Sequence, residues 1–198
     1  MSRHSKPRFW RWFRTVPLVA MLVLAVVSVG LTYGPIGLTR QVLCPVSHAD
    51  LVEESATRHG IDPLFACAII KCESGWDDDA SSAAGAVGLM QLMPETAQEV
   101  ADMGLVDGNA YDPADLTDPA TNIEYGCAYL GYLQDNLDTS DEVVAAYNAG
   151  LGNVSVWRSQ GSDFAGSITY AETRAYLTRV NDAYASYRRC YPDGLLAA

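Results

Sequence analysis

The sequence predicts an all-α, helix-dominated domain preceded by one N-terminal transmembrane helix. Three observations carry this. Apolar residues recur at three- and four-residue spacing in the body of the chain. Helix-opening signals, several with a proline at the first helical position, punctuate it. No stretch alternates apolar and polar residues as a half-buried strand does. With 198 residues, 49% of them apolar, the chain suffices for one packed domain plus a short extra segment, and wholesale disorder is excluded.

The first element is the transmembrane span. No residue from Val16 to Tyr33 is charged, a run close to the length that crosses ~30 Å of hydrocarbon as a helix. Basic residues and two tryptophans, Trp10 and Trp12, precede it, as on a cytoplasmic flank with an interfacial belt, which puts the chain after about residue 40 outside the cytoplasm. A cleaved signal peptide, giving a secreted form, would need small residues at a processing site. The best candidate, Ser28-Val29-Gly30, lies inside the apolar run and no Ala-x-Ala follows, which favours an uncleaved anchor. The expected organisation is a basic tail over 1–15, a signal anchor over 16–34, a linker over 35–46, a globular domain over 47–191 and a C-terminal tail over 192–198.

Six helices are expected in the globular domain. Ser47 caps the first, through Arg58, and Gly60 ends it. Asp62-Pro63 is a cap followed by proline at the first helical position and opens the second, through Ser74. Leu64, Phe65, Ala68, Ile69 and Cys72 give that helix one buried face. Pro94 opens the third, through Met103, and Asp118-Pro119 the fourth, through Leu137. Ser140 opens the fifth, stopped by Gly150 and Gly152. The last runs from Thr169 to Cys190, with Thr169 and Glu172 at capping-box spacing and Tyr176, Leu177, Val180, Tyr184 and Tyr187 as its apolar stripe.

The formal charge of −11 is unevenly spread. Residues 1–40 hold six of the thirteen Lys/Arg and no acid, so the rest sets seven bases against all 24 acids. A body this acidic repels phosphate backbones, which excludes a nucleic acid partner. Five cysteines fit an exported domain in which disulfides persist. Cys44 and Cys190 bracket the domain and are the candidate bridge. Cys67 and Cys72 point to different faces of one helix and should not pair; Cys67 and Cys127 read as small buried hydrophobes. His4, His48 and His59 form no metal-ligand spacing, so no metal site is expected.

The chemistry is expected at Glu73. It closes the apolar second helix, after Ala68-Ile69-Ile70 and near Trp76, where partial desolvation raises a carboxyl's pKa and keeps it a proton donor near neutrality. Taken alone it could equally be a solvated helix-end residue. The context changes this. Glu73-Ser74 is followed by Gly88-Leu89-Met90-Gln91-Leu92-Met93-Pro94, then Asn122-Ile123 with Gly126 and Tyr129-Leu130, then Ala146-Tyr147-Asn148-Ala149-Gly150, then Glu172-Thr173-Arg174-Ala175-Tyr176. Gln91, an amide between apolar neighbours, suits an acetamido or hydroxyl group.

These five elements, in this order over about residues 47–190, resemble the lytic transglycosylase (SLT) domain family, lysozyme-like enzymes that cut peptidoglycan. The resemblance implies that Glu73 is the catalytic acid and then base, with Ser74 as its neighbour. Ser82 and Gln91 would line the groove and Met93 would supply an apolar wall. Tyr147, with Asn148 behind it, would sit against the reacting sugar and the Glu73 carboxyl. Glu172 would help bind substrate, and Arg174 and Tyr176 would shape that side. Glu172 reads equally as a helix cap and Arg174 as a structural ion pair, while Asp77-Asp78-Asp79 reads as a solvated turn.

The chemistry so implied uses one carboxylate and no cofactor. Glu73 protonates the oxygen between N-acetylmuramic acid and N-acetylglucosamine, the 2-acetamido group supports the oxocarbenium charge, and the C6 hydroxyl closes on C1 to give a 1,6-anhydro end. The expected partners are peptidoglycan glycan strands and, through the N-terminal helix, the membrane. Two rivals stand beside this reading: a goose-type-lysozyme-like hydrolase that delivers water to C1, for which Asp77 to Asp79 are the clustered carboxylates, and a non-catalytic wall-binding protein. The same chemistry could also serve a secretion or conjugation machine.

Overall fold

The structure, a computed structural model, describes residues 16, 17, 19–25, 28, 43–161 and 163–196. The chain divides into two compact units, Met1–Leu43 and Cys44–Ala198. In the first, residues 16, 17, 19–25 and 28 are helical, with Val19, Met21, Leu22 and Leu24 exposed. No helix of the described residues is long and apolar enough to cross a membrane. The basic tail over 1–15 and much of the span expected over 16–34 lie outside the described residues.

The second unit is helical: α1 (Ala49–Arg58), α2 (Pro63–Glu73), α3 (Pro94–Asp102), α4 (Pro119–Asn136), α5 (Ser140–Ala149), α6 (Leu151–Arg158), α7 (Phe164–Ser167) and α8 (Ala171–Cys190). Its only pairings outside helices, among the described residues, are the isolated bridges Ser81–Val87 and Val87–Leu92. The aspartate-proline signals open their helices as the chemistry predicts. Asp62 accepts from the Leu64 amide and Asp118 from the Thr121 amide, while Pro63 and Pro119 fill first-turn positions that need no donor.

Three expectations are corrected. The first helix starts at Ala49, not at a Ser47 cap: His48, in the left-handed region at φ 53°, precedes it with no side-chain cap. The fifth starts at Ser140 as expected, capped by Thr139 in a reciprocal box with Glu142. Gly150, at φ 84°, ends that helix, yet the chain restarts at once as α6 with Gly152 inside it; α6 and the short α7 were not expected. The last helix starts at Ala171. Thr169 does not cap it, because its hydroxyl accepts from the Trp157 indole N–H at 3.1 Å.

The core is built on α2. Leu64 to Ile70 are buried without interruption, so this helix is covered on all sides over its first two turns, not on one face. It packs against α1 and α8, and α8 packs in turn on α5. Each fully buried Leu or Ile side chain contributes about 1.5–3 kcal/mol. Glu73 is the last residue of this apolar rod, so the most constrained helix delivers it. A disulfide joins Cys44 to Cys190 at the two ends of the unit, and Cys67 and Cys127 are buried free thiols.

Candidate active site

Glu73 is half-buried at the C-terminus of α2. Its Oε1 accepts a hydrogen bond from the Tyr176 hydroxyl at 2.5 Å. Burial raises its pKa above the ordinary carboxylate value; the Tyr176 bond and the charge of Arg179 pull the other way without cancelling that rise. Burial first, and then the Glu73 charge, push the phenols of Tyr147 and Tyr176 well above their usual value, so both stay protonated donors. The Glu73 charge on α2 is thus felt by Tyr147 of α5 and by Tyr176 of α8, and Tyr176 bonds the carboxyl directly. A carboxyl with a raised pKa beside a neutral hydroxyl is suited to give a proton to a leaving oxygen and take one back.

The loop before α3 is fixed to this point from two sides. Tyr147 donates to the Met90 carbonyl at 2.8 Å. From α4, Asn122 accepts from the Met90 amide at 2.8 Å and donates to the carbonyls of Val87 and Leu116, both at 2.9 Å. Asn122 is 1% exposed, and this set saturates its amide. Gly88, at φ 75°, has no room for a Cβ against Asn122 and the Leu116 carbonyl, and Gly126 has none against Met90. The spacing of the Gly-Leu-Met-Gln run from Asn122 and Gly126 therefore records a packed joint between the loop and α4. Asn122 was not among the expected site residues, although Asn122-Ile123 is one of the five motif elements.

Most of the remaining expected residues are engaged in hydrogen bonds of their own. Ser74 caps α2, donating to the Ile70 carbonyl at 3.3 Å and accepting from the Trp76 amide at 3.1 Å. Met93 is half-buried as the N-cap of α3. Gln91 sits at φ 46° with its amide nitrogen donating to the carbonyls of Ala80 and Gly88, both at 3.0 Å, so that nitrogen staples the loop. The exposed Ser82 accepts from the Ala86 amide within a tight turn. Asn148 accepts from Thr173 at 2.8 Å, joining α5 to α8. Glu172 is exposed in the first turn of α8, and Arg174 donates to the Ile168 carbonyl. Asp77 accepts from the Asp79 amide and Asp78 bonds His48, so two of the three clustered acids are occupied in the turn.

The Tyr147 ring lies 5.6 Å from that of Tyr129. Tyr129 in turn borders a cavity of about 620 Å³ lined also by Thr96, Glu99, Met103, Tyr132 and Leu151. Neither this cavity nor a smaller one of about 260 Å³, between Asp62, Leu137 and Tyr184, is lined by an expected site residue. Among the described residues no three His, Cys, Asp or Glu side chains are grouped to hold a metal ion.

The transglycosylase SLT domain family matches residues 50–169 of this chain. The soluble lytic murein transglycosylase of Escherichia coli (strain K12) is 37% identical over 152 residues, covering 72% of this chain and 23% of that protein. Membrane-bound lytic murein transglycosylase C of Shigella sonnei (strain Ss046) is 32% identical over 166 residues, covering 70% and 46%. The crystal structure of the 70 kDa soluble lytic transglycosylase of Escherichia coli superposes with a TM-score of 0.70 at 35% identity, over 76% of this chain and 25% of that one. The structure of an inactive mutant of the lytic transglycosylase Slt from Pseudomonas aeruginosa gives 0.70 at 29% identity, over 78% and 26%. The chain thus spans about a quarter of the length of the soluble relatives it matches.

Proposed function

The chain belongs to the transglycosylase SLT domain family, and from that premise we propose that it is a peptidoglycan lytic transglycosylase with Glu73 as its one acid and base. The observation that supports this best is the Glu73 carboxyl itself: buried enough to favour its protonated form, and hydrogen-bonded by Tyr176, a donor that carries no charge. A cation in that place would hold the carboxyl ionised and unable to act first as an acid.

The reaction follows from that state. Protonated Glu73 gives its proton to the glycosidic oxygen as the C1–O bond breaks. The 2-acetamido group of N-acetylmuramic acid shares the charge that develops at C1. Ionised Glu73, still held by the Tyr176 hydroxyl, then takes the C6 hydroxyl proton as that oxygen closes on C1. The proton returns to Glu73, no water is consumed, and the product carries a 1,6-anhydro end. Tyr147 holds the Met90–Gln91 loop against the carboxyl, and Ser74, Ser82, Gln91, Met93, Asn148, Glu172 and Tyr176 are the residues proposed to shape or contact the sugar groove.

A hydrolase reading needs a second carboxylate to activate water. Asp77 accepts from the Asp79 amide and Asp78 is paired with His48, which favours the lyase over it. We further propose the layout of a basic cytoplasmic tail over 1–15, a signal anchor over 16–34 and an extracytoplasmic catalytic domain over 47–191. The exported disulfide-bonded domain and the uncharged run Val16–Tyr33 support it. The test is a digest of purified peptidoglycan analysed by mass spectrometry. Wild-type protein yields anhydro-ended fragments, one water lighter than reducing-ended ones, and Glu73→Gln yields none. Anhydro ends made by Glu73→Gln at the wild-type rate would refute the assignment.

A further inference from the structure

The segment that leads into α1 packs into the core at Cys44 and also makes polar contacts that converge on the turn following Glu73. Trp76 is a bulky side chain at φ 73°, in the left-handed region, a conformation that persists only where the surroundings impose it. The imposing groups form a chain. The Trp76 main-chain N–H donates to Ser74 Oγ at 3.1 Å, and its indole N–H donates to the Tyr187 hydroxyl at 2.8 Å. The Tyr187 hydroxyl donates onward to the Pro45 carbonyl at 2.8 Å. Two residues further along the turn, both Asp78 carboxylate oxygens lie 3.0 Å from Nε2 of His48. The segment is itself fastened to the end of α8, by the Cys44–Cys190 disulfide and by the Tyr191 hydroxyl donating to the Cys44 carbonyl at 3.0 Å.

The turn held this way reaches both halves of the candidate site. Its near end is Glu73-Ser74. At its far end the Ala80 carbonyl accepts from the Gly88 amide at 2.8 Å and from the Gln91 side-chain amide at 3.0 Å, which ties it to the loop that Tyr147 grips. Helix α8 closes the circuit, because it carries Tyr176 on Glu73, Tyr187 under Trp76 and Cys190 in the disulfide.

We propose that residues 44–48 are a disulfide-held strap that sets the catalytic geometry, with Trp76 and His48 as positioning residues for the reaction at Glu73. The inference rests on the reading of Glu73 given above. It makes turnover sensitive to the redox state of a bond at the edge of the domain. A dithiol reductant converts the bridge into two thiols, giving up two electrons and two protons and becoming a disulfide itself. The freed strap then no longer fixes Pro45 and His48, and the turn loses two of its anchors. Displacement of a catalytic group by about an ångström costs on the order of a hundredfold in rate, so partial loosening is expected to cost about tenfold.

The test uses the full chain, with anhydro-end formation read as separate kcat and KM and with circular dichroism to verify the fold at assay temperature. Reduced wild type, and the double variant Cys44→Ser with Cys190→Ser, are expected to lose about tenfold in kcat with KM changed less than about twofold. Reoxidation restores the wild type and not the double variant. Trp76→Phe, which removes the indole donor, is expected to cost about tenfold in the bridged protein and nothing further once the bridge is gone, since both act through the same turn. Folded, reduced protein turning over at the oxidised rate overturns the proposal, as do fully additive losses. If reduction unfolds the domain, His48→Ala and Trp76→Phe with the bridge intact decide, and wild-type kcat in both overturns it. Activity surviving in Glu73→Gln would instead refute the assignment of the site. An inactive Glu73→Gln beside wild-type kcat in the strap variants refutes the strap alone.

Discussion

Two glutamates on core helices α2 and α4 show how a partner changes a covered carboxyl. Glu124, in α4, has a side chain only 5% exposed, and Glu73 is half-buried. Burial alone would raise both. Burial does push Glu124 up, but His59 at 2.9 Å and Arg58 at 2.5 Å outweigh that and hold it at about 2. It is an ion-paired strut between α1 and α4. Glu73 has a phenol where Glu124 has a guanidinium and an imidazole, so its burial is only partly offset and its pKa rises. The identity of the partner sets the two carboxyls apart.

The contrast breaks most visibly in a pair of isosteric substitutions. Glu73→Gln is expected to lower the rate of anhydro-end formation at least about a thousandfold while leaving the fold intact. A carboxyl whose folded pKa is raised costs stability once pH climbs from the ordinary carboxylate range through the raised value. The variant should therefore melt at or above the wild-type temperature near neutral pH, a thermal scan being the check. Glu124→Gln should do the reverse. Its kcat stays within about twofold, while loss of the charge-assisted bonds to Arg58 and His59 lowers stability by about 2 kcal/mol in a denaturant titration. The pH dependence has the opposite sign there too: the Glu124 contribution is present above the ordinary carboxylate range and is lost as pH falls toward about 2. Acid unfolding of the wild type should thus show a component that the Gln variant lacks.

A smaller effect sharpens the role of the neutral partner. The Tyr176 hydroxyl donates to Glu73 and so favours its ionised form. Tyr176→Phe removes that donor, raises the carboxyl pKa further and should move the basic limb of the pH–rate profile to higher pH, with kcat falling about tenfold. A basic limb that stayed in place would show that the limb belongs to another group.

The same contrast explains how far the sequence could be read. Helix starts that depend on local chemistry were legible: Asp62-Pro63, Pro94 and Asp118-Pro119 each sit where a helix opens. Starts assigned to Ser47 and Thr169 failed for reasons outside local chemistry. His48 bonds Asp78, and Thr169 is claimed by the Trp157 indole. Gly152 reads as a stop in sequence but lies inside α6, because Gly150 alone makes the break. Glu73 was legible through its motif and its place on an apolar helix. Tyr176 was legible through its own motif, but its bond to Glu73, 103 residues away, lies beyond any local pattern, as do the bonds of Arg58 and His59 to Glu124. Gln91 was singled out correctly as unusual, yet its amide nitrogen is used by the loop itself, which a linear pattern cannot reveal.

The central claim is that Glu73 works alone and that no water reaches C1. Digesting purified peptidoglycan in water enriched in heavy oxygen tests it directly, with mass spectrometry reading the new glycan ends. The account predicts anhydro ends free of label from the wild type and no new ends from Glu73→Gln. Labelled reducing ends as the primary wild-type product would contradict it, since they require a water and a second group to activate it.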